Sequence, residues 1–134
     1  MKFPDWLRVY GDQSFRGKCP HESVEQITFF HRLRREYPDT YGVIAIHART
    51  EGDRSHAQTV RYKAEGLTPG CADIIIPSSK PFVCEMKRMD HTKSEFQNMQ
   101  LVYLQAAHSA GAFVCVALGY LGAWSAFEDW KRSQ

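Results

Sequence analysis

The stretch GCADIIIPSSKPFVCEMK, residues 70–87, decides how this chain folds. Two runs rich in β-branched and aromatic side chains, residues 72–76 and 82–87, flank Pro77-Ser78-Ser79-Lys80-Pro81. Turn residues between two strand-like runs read as a β-hairpin. With the turn centred near Ser79, Asp73 stands opposite Glu85 and Ile74 opposite Cys84. Side chains alternate along a strand, so Glu85 and Lys87 share one face, while Phe82, Cys84 and Met86 take the other with Ile74 and Ile76. Directly opposed carboxylates repel, with Cβ atoms roughly 4.5–5.5 Å apart. Such a pair costs stability unless a cation lies between the two acids. A slip of one residue in the register would undo the arrangement.

Outward from the hairpin, residues 21–37 have helical periodicity. Val24, Ile27, Phe30 and His31 form one stripe, with Phe29 and Leu33 beside it, and Pro38 stops the run. Residues 41–49, YGVIAIHAR, read as a buried strand. Glu51-Gly52-Asp53 reads as a turn, and residues 55–65 as a short polar helix ended by Gly66. After the hairpin, residues 90–110 read as a long helix carrying Phe96, Met99, Tyr103 and Ala107 at spacings of three or four, with Gly111 as its end. Residues 112–119 read as a buried strand and 123–131 as a last short helix. Residues 1–20, punctuated by Pro4, Gly11, Gly17 and Pro20, read as irregular. The order is α-β-(α)-β-β-α-β(-α), which predicts an α/β mixed sheet flanked by helices. The 90–110 helix would be a right-handed crossover between parallel neighbours.

The bulk composition narrows the function classes. The chain has 134 residues, the size of one domain. It is 43% hydrophobic and 24% charged, which excludes disordered and fibrous classes. Lys and Arg number 17 against 15 Asp and Glu, a net charge of +2, which excludes a polybasic protein. A nucleic-acid enzyme is still allowed, because local charge matters more than the sum. The longest apolar stretch, about residues 111–124, is shorter than the ~18–20 residues of a membrane span. Met1-Lys2-Phe3-Pro4-Asp5-Trp6 lacks the apolar run of a signal peptide. None of the four cysteines forms a C-x-x-C pair, and Cys19, His21 and His31 lack a fourth zinc ligand of suitable spacing. Reduced thiols in a cytoplasmic protein, with no membrane association, are the expectation.

The chemistry resides in Asp73, Glu85 and Lys87. Two carboxylates at this density are hard oxygen donors, suited to Mg²⁺ or Mn²⁺ rather than zinc. A divalent ion there would bind a phosphate oxygen and acidify water. Lys87 would orient or deprotonate that water, or neutralise transition-state charge. The plain alternative is an exposed hairpin with mixed charges. Gly66 and Gly70 bracket the turn into Asp73 and let backbone come close to a ligand. Gln100 lies on the helix after Lys87.

The runs 70–76 and 82–87 resemble the core motif of the PD-(D/E)XK nuclease superfamily, and more closely its VRR-NUC (virus-type replication-repair nuclease) branch. Glu22, Gln26, Phe29 and Leu33 look like that branch's first helix. Gln100, Gly111 and Phe113-Val114-Cys115-Val116 look like its later helix and strand. The likeness spans about residues 21–119 of a single 1–134 domain. It implies a restriction-endonuclease-like fold with an α-β-β-β-α-β core, and Mg²⁺- or Mn²⁺-dependent hydrolysis of DNA phosphodiesters. It maps metal ligation onto Asp73, Glu85 and the Met86 carbonyl, and the catalytic lysine onto Lys87. The helix acid maps onto Glu22, with Glu25, one turn away, as a rival. The family often has proline before the first aspartate; Ala72 stands there instead. Stand-alone members resemble small phage enzymes that pair as homodimers, similar in design to Holliday-junction resolvases. A phage origin would place the protein in the host cytoplasm.

Gln26 and Gln100 are expected to line the site. Arg32, Arg34 and Arg35, then Arg49, Arg54, Arg61 and Lys63, then Lys80, Lys87, Arg88 and Lys93 form basic clusters able to contact phosphates without reading sequence. His47, His56, His91 and His108 read as bystanders, with His91 nearest the active strand. Tyr103, Trp124 and Trp130 read as core or interface residues. The resulting expectation is an endonuclease acting on branched or structured duplex DNA. Its rivals are a catalytically silent DNA-binding module of the same fold, and a phosphohydrolase acting on nucleotides or RNA.

Overall fold

The hairpin forms in the register its turn dictates. In the computed structural model, which describes residues 1–48 and 54–134, Ile74–Ile76 (β2) runs antiparallel to Phe82–Lys87 (β3). Ile74 stands opposite Cys84 and Ile76 opposite Phe82. All six residues of β3 are buried, so this is an interior strand and not an exposed hairpin arm. Its second edge is covered by Phe113–Leu118 (β4), which runs parallel to it from Phe82 opposite Phe113 to Lys87 opposite Leu118. A parallel neighbour demands a crossover, supplied by the helix Gln100–Ser109 (α4).

The sheet gains a strand at its far edge. Arg8–Tyr10 (β1) pairs in parallel with β4, giving the order β1-β4-β3-β2. Residues 1–20 were expected to be irregular, and three residues between Pro4 and Gly11 are too short to announce a strand by alternation. The opposite edge loses one. The expected strand over 41–49 is instead one helical turn, Tyr41–Ile44 (α2), followed by a single antiparallel bridge from Ile46 to Ile75. Val43 and Ile44 are exposed. Packing overrides β-propensity here. The Gly42 amide donates to the Tyr37 carbonyl, folding the chain back, and the Tyr41 ring sits edge-on to Tyr37, Phe127 and Trp130. Arg49 and the turn expected at 51–53 lie outside the described residues. The outcome is an α/β mixed four-stranded sheet flanked by helices, with its outermost strand cut down to a bridge.

The first helix, Glu22–Glu36 (α1), buries a different stripe from the one its periodicity suggested. Glu25, Phe29, Phe30 and Leu33 face inward, while Val24 and Ile27 are exposed. Phe29 selects this face: its ring meets Trp124 and Phe127 edge-on from Gly119–Arg132 (α5). The polar helix His56–Ala64 (α3) starts with a capping box between Ser55 and Gln58, and none of its residues is buried.

The expected helix over 90–110 begins ten residues late. Residues 91–93 form a single 3₁₀ turn. The Asp90 carboxylate caps this turn by accepting from the Thr92 amide and hydroxyl, and also accepts from the Gly17 amide; Ser94 then takes the extended conformation, φ −125° and ψ 162°, and ends it. These bonds hold the Asp90 carboxyl down to about 2. Met99 then takes the left-handed conformation, φ 73°, and α4 starts after it. Of the expected helical stripe, only Tyr103 and Ala107 lie on the helix.

Two apolar layers close the sheet. Phe82, Cys84 and Met86 pack with Phe29, Leu33, Phe127 and Trp130 on the α1–α5 face. Val83, Val114 and Val116 pack with Ala72 and Leu104 on the α4 face, with Tyr103 beside them. Trp124 and Trp130 belong to the core, as expected. Each such ring or branched side chain contributes roughly 1.5–3 kcal/mol on burial. Cys84 and Cys115 are free, buried thiols on paired strands. Among the described residues no helix is long and apolar enough to cross a membrane.

Candidate active site

Alternation along β3 turns Glu85 and Lys87 toward the α4 face, opposite to Cys84 and Met86. Both are 1% exposed. Asp73 lies one residue before β2, where the antiparallel ladder ends. Alternate residues of such a ladder exchange both backbone bonds. Ile75 spends its own on Ile46, so Ile74 and Ile76 exchange with Cys84 and Phe82. Two residues further along, Met86 presents its backbone at the same edge. No β2 carbonyl remains for it there, and the Met86 amide donates instead to Asp73 Oδ2 at 2.9 Å. Asp73 is thereby fixed beside Glu85, as the turn-centred register requires.

These residues open into a cavity of about 680 Å³, lined by Glu22, Gln26, His47, Asp73, Glu85, Lys87 and Gln100, and by residues of the 92–97 wall. Lys87 Nζ donates to the Glu95 carbonyl at 2.7 Å and to Gln100 Oε1 at 3.0 Å. Gln100 Nε2 donates to Glu85 Oε1 at 3.3 Å, so one amide tethers both charged groups. The Gln97 amide donates to the same Gln100 oxygen at 2.7 Å, which fixes the flip. Glu85 Oε2 is buried and meets no donor among the described residues. Burial pushes the Glu85 carboxyl well above the usual carboxylate range, and the neighbouring Asp73 pushes it further.

The two helix acids separate. Glu22 lines the cavity, and Ser94 Oγ donates to its Oε1 at 2.8 Å. Glu25 points elsewhere, against Gly119 at the start of α5, where the Tyr120 amide donates to it. One turn of helix rotates a residue three positions on by about 60° short of a full circle, enough to move it to another neighbour. Glu25 therefore does not line the cavity. The Met86 side chain is in the core, and only its backbone borders Asp73.

Sequence reasoning missed three residues here. His47 lines the cavity, and its Nδ1 donates to the Asp73 carbonyl at 2.8 Å. Ser94 bridges the Arg88 amide and Glu22. Glu95 acts through its carbonyl on Lys87. His47 sat within a strand-like run, and a backbone carbonyl leaves no mark on residue identity. His91, the expected nearest histidine, is tied to the Gln13 carbonyl instead. Several expected phosphate contacts are already engaged. Arg32 holds Glu36 and the Tyr120 hydroxyl and lies over Trp124. Arg88 donates to the carbonyls of Cys19 and Pro20, and Lys93 to that of Gly17. These bonds strap the segment 13–20 to the loop that carries Ser94 and Glu95.

The donors suit a hard divalent cation: two carboxylates side by side, one with a buried oxygen that nothing satisfies. Among the described residues, no three His, Cys, Asp or Glu side chains are placed to hold a metal by themselves. Glu22, the third acid of the cavity, is held aside by Ser94.

No family model and no curated protein matches the sequence. The fold has a solved counterpart. The structure of a VRR_NUC domain protein superposes with a TM-score of 0.64, over 86% of this chain and 89% of that one, at 15% sequence identity. At that identity the likeness is one of fold.

Proposed function

We propose that this protein is a Mg²⁺- or Mn²⁺-dependent endonuclease that hydrolyses DNA phosphodiester bonds in branched or structured duplex, acting as a homodimer. The observation that carries the reading is the convergence of Asp73, Glu85 and Lys87 on one cavity, with Glu85 Oε2 buried and unmet. The likeness of fold to a VRR_NUC domain protein supports it.

In this reading Asp73, Glu85 and the Met86 carbonyl would hold the cation, with water and a phosphate oxygen completing a shell that the protein alone leaves open. When bound, such a cation supplies positive charge to the phosphoryl oxygens and acidifies water. Burial favours the protonated form of the Glu85 carboxyl, and that form competes with cation binding, so binding would weaken as pH falls. Lys87 commits two of its three N–H groups to Glu95 and Gln100, which leaves one for the attacking water or a phosphate oxygen. Gln100 keeps Lys87 and Glu85 in mutual register. Glu22 assists from α1 by accepting a hydrogen bond from water in the cavity.

The test uses the purified protein with a four-way junction, a flap and a linear duplex, each in Mg²⁺, Mn²⁺ or EDTA. Cleavage of the junction or flap in either metal, lost in EDTA and in Lys87→Ala, is the expected result. Cleavage that persists in EDTA or in Lys87→Ala contradicts the mechanism. Tight junction binding with no hydrolysis in any metal would make the protein a silent binding module. Preference for ribo- over deoxyribo-oligonucleotides would move the substrate to RNA.

A further inference from the structure

Beside the catalytic cavity lies a second groove of about 860 Å³, between the outer face of α1 and residues 45–47. Gln26, Ile27 and His47 line both, so the two spaces are continuous. The groove combines two kinds of surface. Ile27 and Ile46 are 69% and 50% exposed, which leaves apolar area uncovered by any described residue, and Phe30 lines the same groove. The rim is cationic, with Arg34 and Arg35, and His31 nearby. Among the described residues no acidic side chain lines the groove. The Arg34 guanidinium lies over the Phe30 ring, 5.2 Å from its centroid, and pairs with no carboxylate among the described residues. Arg35 reaches only an outer contact with Glu36 at 3.6 Å.

From this we infer that the groove holds an unpaired nucleotide strand leaving the active site, its bases against Ile27 and Ile46 and its phosphates on Arg34 and Arg35. The inference rests on the nuclease reading for the direction of the strand. A paired duplex keeps its bases stacked inside and offers a protein mainly phosphate and groove edges, so it has no use for an apolar floor. An unpaired strand presents base faces and phosphates together, and binding sites for such strands combine a positive groove with side chains that cover the base faces, most often aromatic rings. The charge complements a polyanion, and continuity with the cavity gives the strand its route. The substrate class narrows accordingly to duplex carrying a single-stranded tail or flap next to the scissile phosphate.

The experiment measures binding by fluorescence anisotropy in EDTA. The probes are one DNA duplex made blunt, with a 5′ dT₅ tail, or with a 3′ dT₅ tail. The wild-type protein is expected to bind one tailed duplex at least tenfold more tightly than the blunt one. Ile46→Ser should erase that preference and leave blunt-duplex binding unchanged, since its side chain is exposed and borders only the groove. Arg34→Ala should weaken tailed binding and lower the salt slope by about 0.7, one phosphate contact on a single strand. Equal affinity for tailed and blunt duplex overturns the inference, as does a tail preference that Ile46→Ser leaves intact. A light-scattering shift from dimer to monomer in Ile46→Ser, with tail preference unmoved, would assign the groove to a second copy of the chain and also overturn it. Tail preference in EDTA does not depend on hydrolysis. A protein that prefers tails but cuts no DNA in any metal keeps the groove and loses the nuclease reading; one that cuts in Mg²⁺ without tail preference does the reverse.

Discussion

Glu85 and Glu25 are both buried acids, and each has an oxygen that meets no donor among the described residues. Burial raises the proton affinity of both. Their neighbourhoods differ in kind. Glu85 borders a polar cavity beside a second carboxylate and a lysine. Glu25 is packed between α1 and the start of α5, where the Tyr120 amide and the positive end of the helix dipole favour its charge. An unsatisfied carboxylate oxygen points to a ligand only where a second hard donor and an open route accompany it. Without them, the same feature is an internal cap joining two helices.

The comparison breaks most visibly in catalysis. Under the proposed function, Lys87→Ala lowers junction cleavage by on the order of 10²–10³-fold through lost transition-state charge stabilisation. Glu25→Gln should cut within a few-fold of wild type, read in the same single-turnover gel assay. Should Glu25→Gln prove as inactive as Lys87→Ala while remaining folded by circular dichroism, Glu25 belongs to the catalytic machinery and not to an internal cap.

Metal loading gives the next largest contrast. At about a hundredfold excess over its dissociation constant, Mn²⁺ should stabilise the native protein by about 2.7 kcal/mol, read as a rise in Tm. Glu85→Gln is expected to abolish that rise and Glu25→Gln to keep it. A rise that survives Glu85→Gln would place the cation elsewhere.

The sealed junction is tested by Gly119→Ala. Gly119 has φ 82°, and an added Cβ would lie 2.5 Å from Glu25 Oε2. Chemical denaturation should register a loss of roughly 1–3 kcal/mol, with the Mn²⁺ response intact.

The smallest expected effect is in pH dependence. Both carboxyls are raised above their unfolded values, so the native state holds more protons than the unfolded one. The stability they contribute is present in acid and declines as pH rises from the ordinary carboxylate range to the raised values. Glu85→Gln should flatten that decline, visible in urea midpoints across pH, and saturating Mn²⁺ should flatten it in the wild type. Glu25→Gln should flatten a lesser part, which Mn²⁺ leaves alone.

Much of the site was legible in the sequence because a tight hairpin makes geometry local. Asp73 and Glu85 lie twelve positions apart, yet one turn fixes their register, and period-two alternation assigns Glu85 and Lys87 to one face. The burial of β3 was not legible, since its cover comes from β4 and α4. The α1 stripe misled for the same reason: Val24 and Ile27 are as apolar as Phe29 and Leu33, and only the aromatic cluster of α5 selects between them. Tyr41 illustrates the reverse failure, a strand-forming run overruled by aromatic partners of which two, Phe127 and Trp130, are distant in sequence. His47, Ser94 and the Glu95 carbonyl enter the site through backbone-directed bonds that composition does not encode.

What this chain settled through its sequence was the hairpin, its register and the acid-acid-lysine grouping, because those depend on turn length and alternation within eighteen residues. Tertiary structure alone decided that Glu22 and not Glu25 borders the cavity, that the strand over 41–49 shrinks to a bridge, and that an apolar, cationic groove adjoins the site. Each of those outcomes turns on which surfaces remain after distant elements pack, a competition among long-range contacts that no local pattern records.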